Sequence, residues 1–122
     1  MGIILHITSQ ATWEAARAAG SYQADTLATE GFIHCSTPAQ VIGVANARFR
    51  GQAGLALLCI EETRVRAEVR YEDCDETGQQ FPHIYGPLNL DAVTQALPFP
   101  PQADGTFTLP SLAPSQQGDE AA

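Results

Sequence analysis

The stretch Glu30–Thr37, EGFIHCST, sets a histidine and a cysteine in what otherwise reads as a short buried strand running from a glycine turn into a helix start. Valine or leucine would serve a core strand better at both places, because a buried imidazole without partners for its ring nitrogens costs on the order of a few kcal/mol. Either the fold or a ligand must supply those partners. Successive strand residues face opposite ways, so His34 shares a face with Ser36 while Cys35 points to the other side. His34 is therefore badly placed to activate the neighbouring thiol, and Cys35 reads as core.

The chain has three histidines, and each repeats this circumstance. His6 lies in ILHIT with Thr8 two residues on, and His83 lies in FPHIYG with Tyr85 two residues on. Each strand can present an imidazole and a hydroxyl on one face, and a single cleft lined by all three would be a polar site. No two histidines have the spacing of a zinc motif, so no metal is expected. Ser36 lacks a nucleophile elbow, and Ser36 and Thr37 are suited to helix capping. Trp13, Tyr22 and Tyr85 are candidates to stack on a planar ring, Tyr22 foremost because it falls in an expected loop. Asn46, a poor helix former in a helical stretch, is expected to bond a loop or a ligand.

Outward from these motifs, Ile3–Thr8 reads as a first strand, with Ser9 capping a helix that runs through Ala19 and stops at Gly20. Asp25 starts a helical turn ending at Gly31, and Phe32–Cys35 is the second strand. Thr37, Pro38 and Gln40 form a capping box for a helix that turns Val41, Val44, Ala45 and Phe49 inward. LALLCIE from Leu55 has the continuous apolar pattern of a strand covered on both faces, whereas Val65, Ala67, Val69 and Tyr71 alternate with charged residues. DCDETGQQ is a polar turn, FPHIYGPL a strand, and Asn89 with Asp91 begins a helix through Ala96. Asp104-Gly105 then turns into TFTLP, an expected edge strand. Strands and helices mix without regular alternation, which gives an α+β fold with a largely antiparallel sheet flanked by helices. Residues 1–110 form one domain, and 111–122 a tail with little to bury.

Of the 122 residues, 14 are acidic and six basic, a formal charge of -8 that opposes nonspecific attraction to nucleic acid or anionic lipid. All six basic residues are arginines, so a bound phosphate would meet guanidinium forks or backbone N–H groups. There is no long apolar run and no export signal at MGIILHIT, and three cysteines without paired spacing suit a reducing cytoplasm.

LHIT, EGFIHCS, QVIGVAN and FPHIYGPL, in this order from Leu5 to Leu88, resemble the uncharacterised family known as domain of unknown function nine-five-two, and DGTFTLP resembles that family's end. That family is similar in fold to ADP-ribosyltransferases. The pair LHIT and FIHCS resembles the LYHGT and HVHLS motifs of RNA 2'-phosphotransferases that use NAD. The resemblance implies a split antiparallel sheet with NAD in its cleft, His6 engaging the nicotinamide-side ribose, Thr8 its partner hydroxyl, and His34 and Ser36 forming the second motif. His83 and Tyr85 would border the same cleft. Many relatives place a glutamate near the end of a late strand to oppose the cation-like ribose, whereas HIYGPL holds no acid there, and the resemblance then implies that His83 or Tyr85 takes its place beside the His6 that orients the ribose. The chemistry allows an NAD-using ADP-ribosyl-transfer enzyme, a module that binds NAD, ADP-ribose or another nucleotide without turnover, or an interaction domain whose histidines are bonded internally.

Overall fold

The apolar run Leu55–Glu61 forms β4, six consecutive residues of which are buried, because it is the middle strand of an antiparallel sheet ordered β1-β4-β8. Its neighbours are β1 (Ile3–Ser9) and β8 (Val93–Pro98). A second antiparallel sheet is ordered β3-β6-β5, from Ile33–His34, Phe81–Tyr85 and Glu68–Glu72. The short strands β2 (Ser21–Tyr22) and β7 (Leu88–Asn89) form a separate ribbon. The computed structural model describes residues 2–73 and 78–112, and Cys74, the middle of the polar turn and 113–122 lie outside the described residues.

Among the described residues a single antiparallel bridge joins the two larger sheets. Leu5 and Ser36 exchange both backbone hydrogen bonds, at 2.7 and 2.8 Å. Alternation along β1 and β4 then sorts the core into two layers. Ile4, Leu58 and Ile60 meet Tyr22, Ile33, Cys35 and Ile84 beneath α1 (Gln10–Ala19). Leu5, Leu57 and Cys59 meet Val41 and Ala45 of α3 (Val41–Arg48) on the opposite side, together with Phe99 and Phe107.

The expected punctuation is present. The Ser9 hydroxyl accepts from Thr12 N–H at 3.0 Å, and Gly20 closes α1 with φ +91°. The helix α2 (Asp25–Glu30) ends at Gly31, φ +89°. The α+β class and the antiparallel pairing agree with the pattern in the sequence.

Three expectations are corrected. The capping box is half made: Gln40 Oε1 accepts from Thr37 N–H at 3.0 Å, yet α3 begins at Val41, because Pro38–Gln40 forms a turn held by Gln40 Nε2 on the Gln80 carbonyl. The helix expected from Asn89 to Ala96 is a short 3-10 turn at Leu90–Ala92 followed by β8. Asn89 does not cap it; its amide joins Arg66 N–H and the Arg64 carbonyl, both at 2.9 Å, while Val93–Pro98 pairs with the backbone groups of β4. TFTLP is not a strand, since Phe107 N–H is taken by Asn46 Oδ1 at 2.8 Å and its ring stacks on Phe99. Tyr71 is 42% exposed on the outer strand β5. Packing also continues past Pro110, with Leu112 against the second core layer. Among the described residues no helix is long and apolar enough to cross a membrane.

Gly86, after β6, sits at φ +155°, and a Cβ there would stand 2.9 Å from the Ala67 Cβ, an atom with no rotamer to retreat into. Gly86→Ala is expected to destabilise the fold by about 1–3 kcal/mol, read as a lower urea midpoint at unchanged m.

Candidate functional site

The two sheets part immediately after the Leu5–Ser36 bridge. In a continuing antiparallel ladder the next bonded rung would join Ile7 to His34. Instead, the His34 carbonyl accepts from the side chain of His6, whose Nδ1–H lies 2.6 Å away. Burial of the ring, 7% exposed, lowers the His6 pKa from 6.5 to about 4, so the imidazole is neutral. With Nδ1 donating, Nε2 is a lone pair and must accept from the Tyr22 hydroxyl at 2.7 Å. The single Tyr22 proton being used there, the Thr8 hydroxyl donates to Tyr22 across their 3.0 Å contact. Thr8, Tyr22 and His6 thus form one directed chain ending on the backbone of His34. Tyr22, expected in a loop, belongs to β2, is 2% exposed, and lies edge-on to His6 at 5.1 Å. Burial pushes its hydroxyl pKa up.

His34 turns its own ring to the other side of the sheet. It is paired across strands with His83, the ring centroids 5.2 Å apart and nearly perpendicular. Phe32 stacks on His83 at 4.2 Å and meets His34 at 4.8 Å. The register of β5 against β6 brings the outward residues Glu68, Arg70 and Glu72 to this face. Glu72 Oε1 accepts from Tyr85 Oη–H at 2.6 Å and from His83 Nδ1–H at 2.8 Å. The Tyr85 bond first, and the His83 bond after it, hold the Glu72 carboxyl below the usual carboxylate range. The Arg70 guanidinium lies 4.4 Å over the Tyr85 ring while both of its bonding nitrogens meet Glu68. His34 Nε2 stands 2.9 Å from Glu30 Oε1, with both side chains 47% exposed.

The structure therefore brings His34, His83 and Tyr85 together, with Ser36 on the same face by alternation, and places His6, Thr8 and Tyr22 in the buried layer behind them. The link between the groups is the His34 backbone. Asn46 is with neither, being occupied by Phe107, and the groove between α1 and β8 involves none of these residues. Cys35 is buried with its thiol pKa pushed up by desolvation, which suits core packing. Sequence reasoning missed Glu72, Glu30, Arg70 and Phe32. The alternation of EVRYE put Glu68, Arg70 and Glu72 on one face, but only strand register assigns them to His83.

Residues 7–96 match the family described as Protein of unknown function (DUF952). The chain belongs to the DUF952 family. Among solved structures, the crystal structure of protein CC0527 from Caulobacter crescentus is 36% identical with a TM-score of 0.79, the match covering 87% of this chain and 93% of that one. A crystal structure of a double mutant of CC0527 gives the same values. The solution NMR structure of CC0527 has a TM-score of 0.70 at 35% identity, over 88% of this chain and 92% of that one. No curated protein matches the chain.

The neutral, buried His6 of this DUF952 chain has a consequence for stability. Its imidazole titrates near 4 when folded and near 6.5 when unfolded, so between those values the unfolded chain binds a proton that the folded one refuses. The contribution is complete above pH 6.5 and is lost as pH falls toward 4, about 3 kcal/mol at most. Urea unfolding between pH 7 and 4 is expected to show this loss in the wild type and a flatter profile in His6→Gln.

Proposed function

We propose that this DUF952 chain recognises NAD on the open face of the second sheet and transfers its ADP-ribosyl group in the manner of ADP-ribosyltransferase-like enzymes. The observation that carries this reading is Glu72: the late strand HIYGPL has no acid, and the adjacent strand delivers a carboxylate onto His83 and Tyr85 of that strand. Held in its ionised form, Glu72 can oppose positive charge developing on a bound ribose and accept from a sugar hydroxyl. A carboxylate fixed in advance by two donors needs little reorganisation at the moment of reaction.

The other residues on this face suit the same ligand. Tyr85 offers aromatic surface with the buried Phe32 ring packed against it and against His83, and Arg70 brings a guanidinium that suits a phosphate oxygen. The Ser36 hydroxyl, in a residue 5% exposed, has no hydrogen-bond partner among the described residues, and a ligand hydroxyl or a water would satisfy it. NAD, when bound, supplies an activated ribose carrying a good leaving group. The antiparallel sheets, joined at one bridge and splayed beyond it, support the ADP-ribosyltransferase-like assignment.

A second reading, a nucleotide-binding module without turnover, is favoured by His6. The histidine that the resemblance assigns to the ribose has both nitrogens committed inside the protein. Nicotinamide release from NAD distinguishes the two. Transfer predicts release that falls at least about tenfold in Glu72→Gln, with NAD binding by calorimetry largely retained. Thermal stabilisation by NAD or ADP-ribose without release selects the module, and no response to either ligand rejects both readings.

A further inference from the structure

Glu30 is the last residue of α2, and Gly31 turns the chain so that this helix end and β3 lie side by side. The turn is fixed by Gly31 N–H on the Thr26 and Leu27 carbonyls, at 3.0 and 3.1 Å, and by the Thr26 hydroxyl on the Phe32 carbonyl at 2.8 Å. Its product is the 2.9 Å contact of His34 Nε2 with Glu30. A carboxylate oxygen accepts from a ring N–H, so Nε2 carries a proton, and in the neutral form of the ring the lone pair is on Nδ1. Among the described residues that Nδ1 has no hydrogen-bond partner. His34 joins this open acceptor to solvent exposure, whereas His6 and His83 are both buried.

We propose that His34 takes the proton of the second substrate, that Glu30 is its positioning residue, and that the second substrate is an alcohol hydroxyl. The proposal rests on the ADP-ribosyl-transfer reading of this face and names the acceptor it leaves open. Charge selects the acceptor class. Glu30 meets His34 and Glu72 meets His83, while the guanidinium on this face, Arg70, is held by Glu68, so the charge left beside the histidines is negative: a carboxylate acceptor is repelled and an ammonium is kept in its charged, non-nucleophilic form. A hydroxyl arrives neutral and loses its proton only as its oxygen forms the new bond. In that step the O–H proton passes to His34 Nδ1, and the oxygen's electron pair bonds to the sugar carbon. The leaving group departs with the electron pair of the bond that breaks. Glu30 stabilises the imidazolium so formed.

Diethyl pyrocarbonate, which acylates unprotonated imidazole nitrogens, tests the arrangement on the full chain, with peptide mass spectrometry to locate the adduct. His34 is expected to react, and His6 and His83 to stay unmodified. Glu30→Ala should slow the reaction several-fold and mix the His34 tautomers in nitrogen-detected NMR. Glu30→Gln, whose amide oxygen still accepts from Nε2–H, should restore one tautomer, a rescue that a merely structural role would not produce. With NAD and glycerol as the probe alcohol, Glu30→Ala should lower kcat at unchanged KM for NAD, and a glycerol adduct should form. Modification of His83 before His34, or tautomers indifferent to residue 30, overturns the proposal, and nicotinamide release with no glycerol adduct overturns the alcohol assignment. If His34 and Glu30 behave as expected and wild-type protein releases no nicotinamide, the proton-accepting pair stands and the NAD reading falls.

Discussion

Where an antiparallel sheet divides, the strands on either side of the division keep backbone groups that had been due to bond one another. Here the carbonyl of His34 faces that problem, and the imidazole of His6 answers it across 2.6 Å. One such bond contributes about 1 kcal/mol net, but an unmet buried carbonyl costs as much or more, so the site of the division is strongly specified. A methyl or isopropyl side chain at position 6 could fill the gap and still leave the carbonyl unpaired. Histidine fills it and donates, and Tyr22 and Thr8 complete the account for its second nitrogen.

This constraint reaches the opposite face through a single residue. Fixing the His34 carbonyl fixes the strand that carries it, and the ring of His34 then falls beside His83, its cross-strand partner. Two imidazoles of like type acquire different chemistry within one short distance. Desolvation keeps His6 neutral and sealed, while each histidine on the other face has a carboxylate of its own, Glu30 for His34 and Glu72 for His83. The acid-rich composition, which argues against polyanionic partners, here has a local use as two tautomer-fixing acceptors.

Much of the frame was legible because its signals are local. Ser9 and Gly20 bracket α1, Gly31 ends α2, and LALLCIE is buried on both faces. What failed to show was non-local. Asn89 and Asp91 look like a helix start, and only the pairing of Val93–Pro98 with β4 makes that stretch a strand. The candidate residues divide by the same rule: His34, His83 and Tyr85 could be named from alternation, but Glu72 could not be assigned to them without the β5-β6 register. Nor does sequence distinguish a tyrosine in a loop from one whose hydroxyl closes a buried chain, as at Tyr22.

The motifs at His6 and His34 show how little a spacing alone commits. Both read histidine, one residue, hydroxyl residue, and alternation puts the pair on a common face in each strand. In β1 that face meets the interior, a tyrosine enters between imidazole and hydroxyl, and every donor finds an acceptor. Just beyond β3 the bridge to Leu5 occupies the backbone of Ser36 and leaves its hydroxyl without a partner among the described residues, while the His34 imidazole leans outward to a glutamate. The same local grammar thus yields one closed network and one open one. The open network retains an unmatched hydroxyl and an acceptor nitrogen that a second molecule can complete.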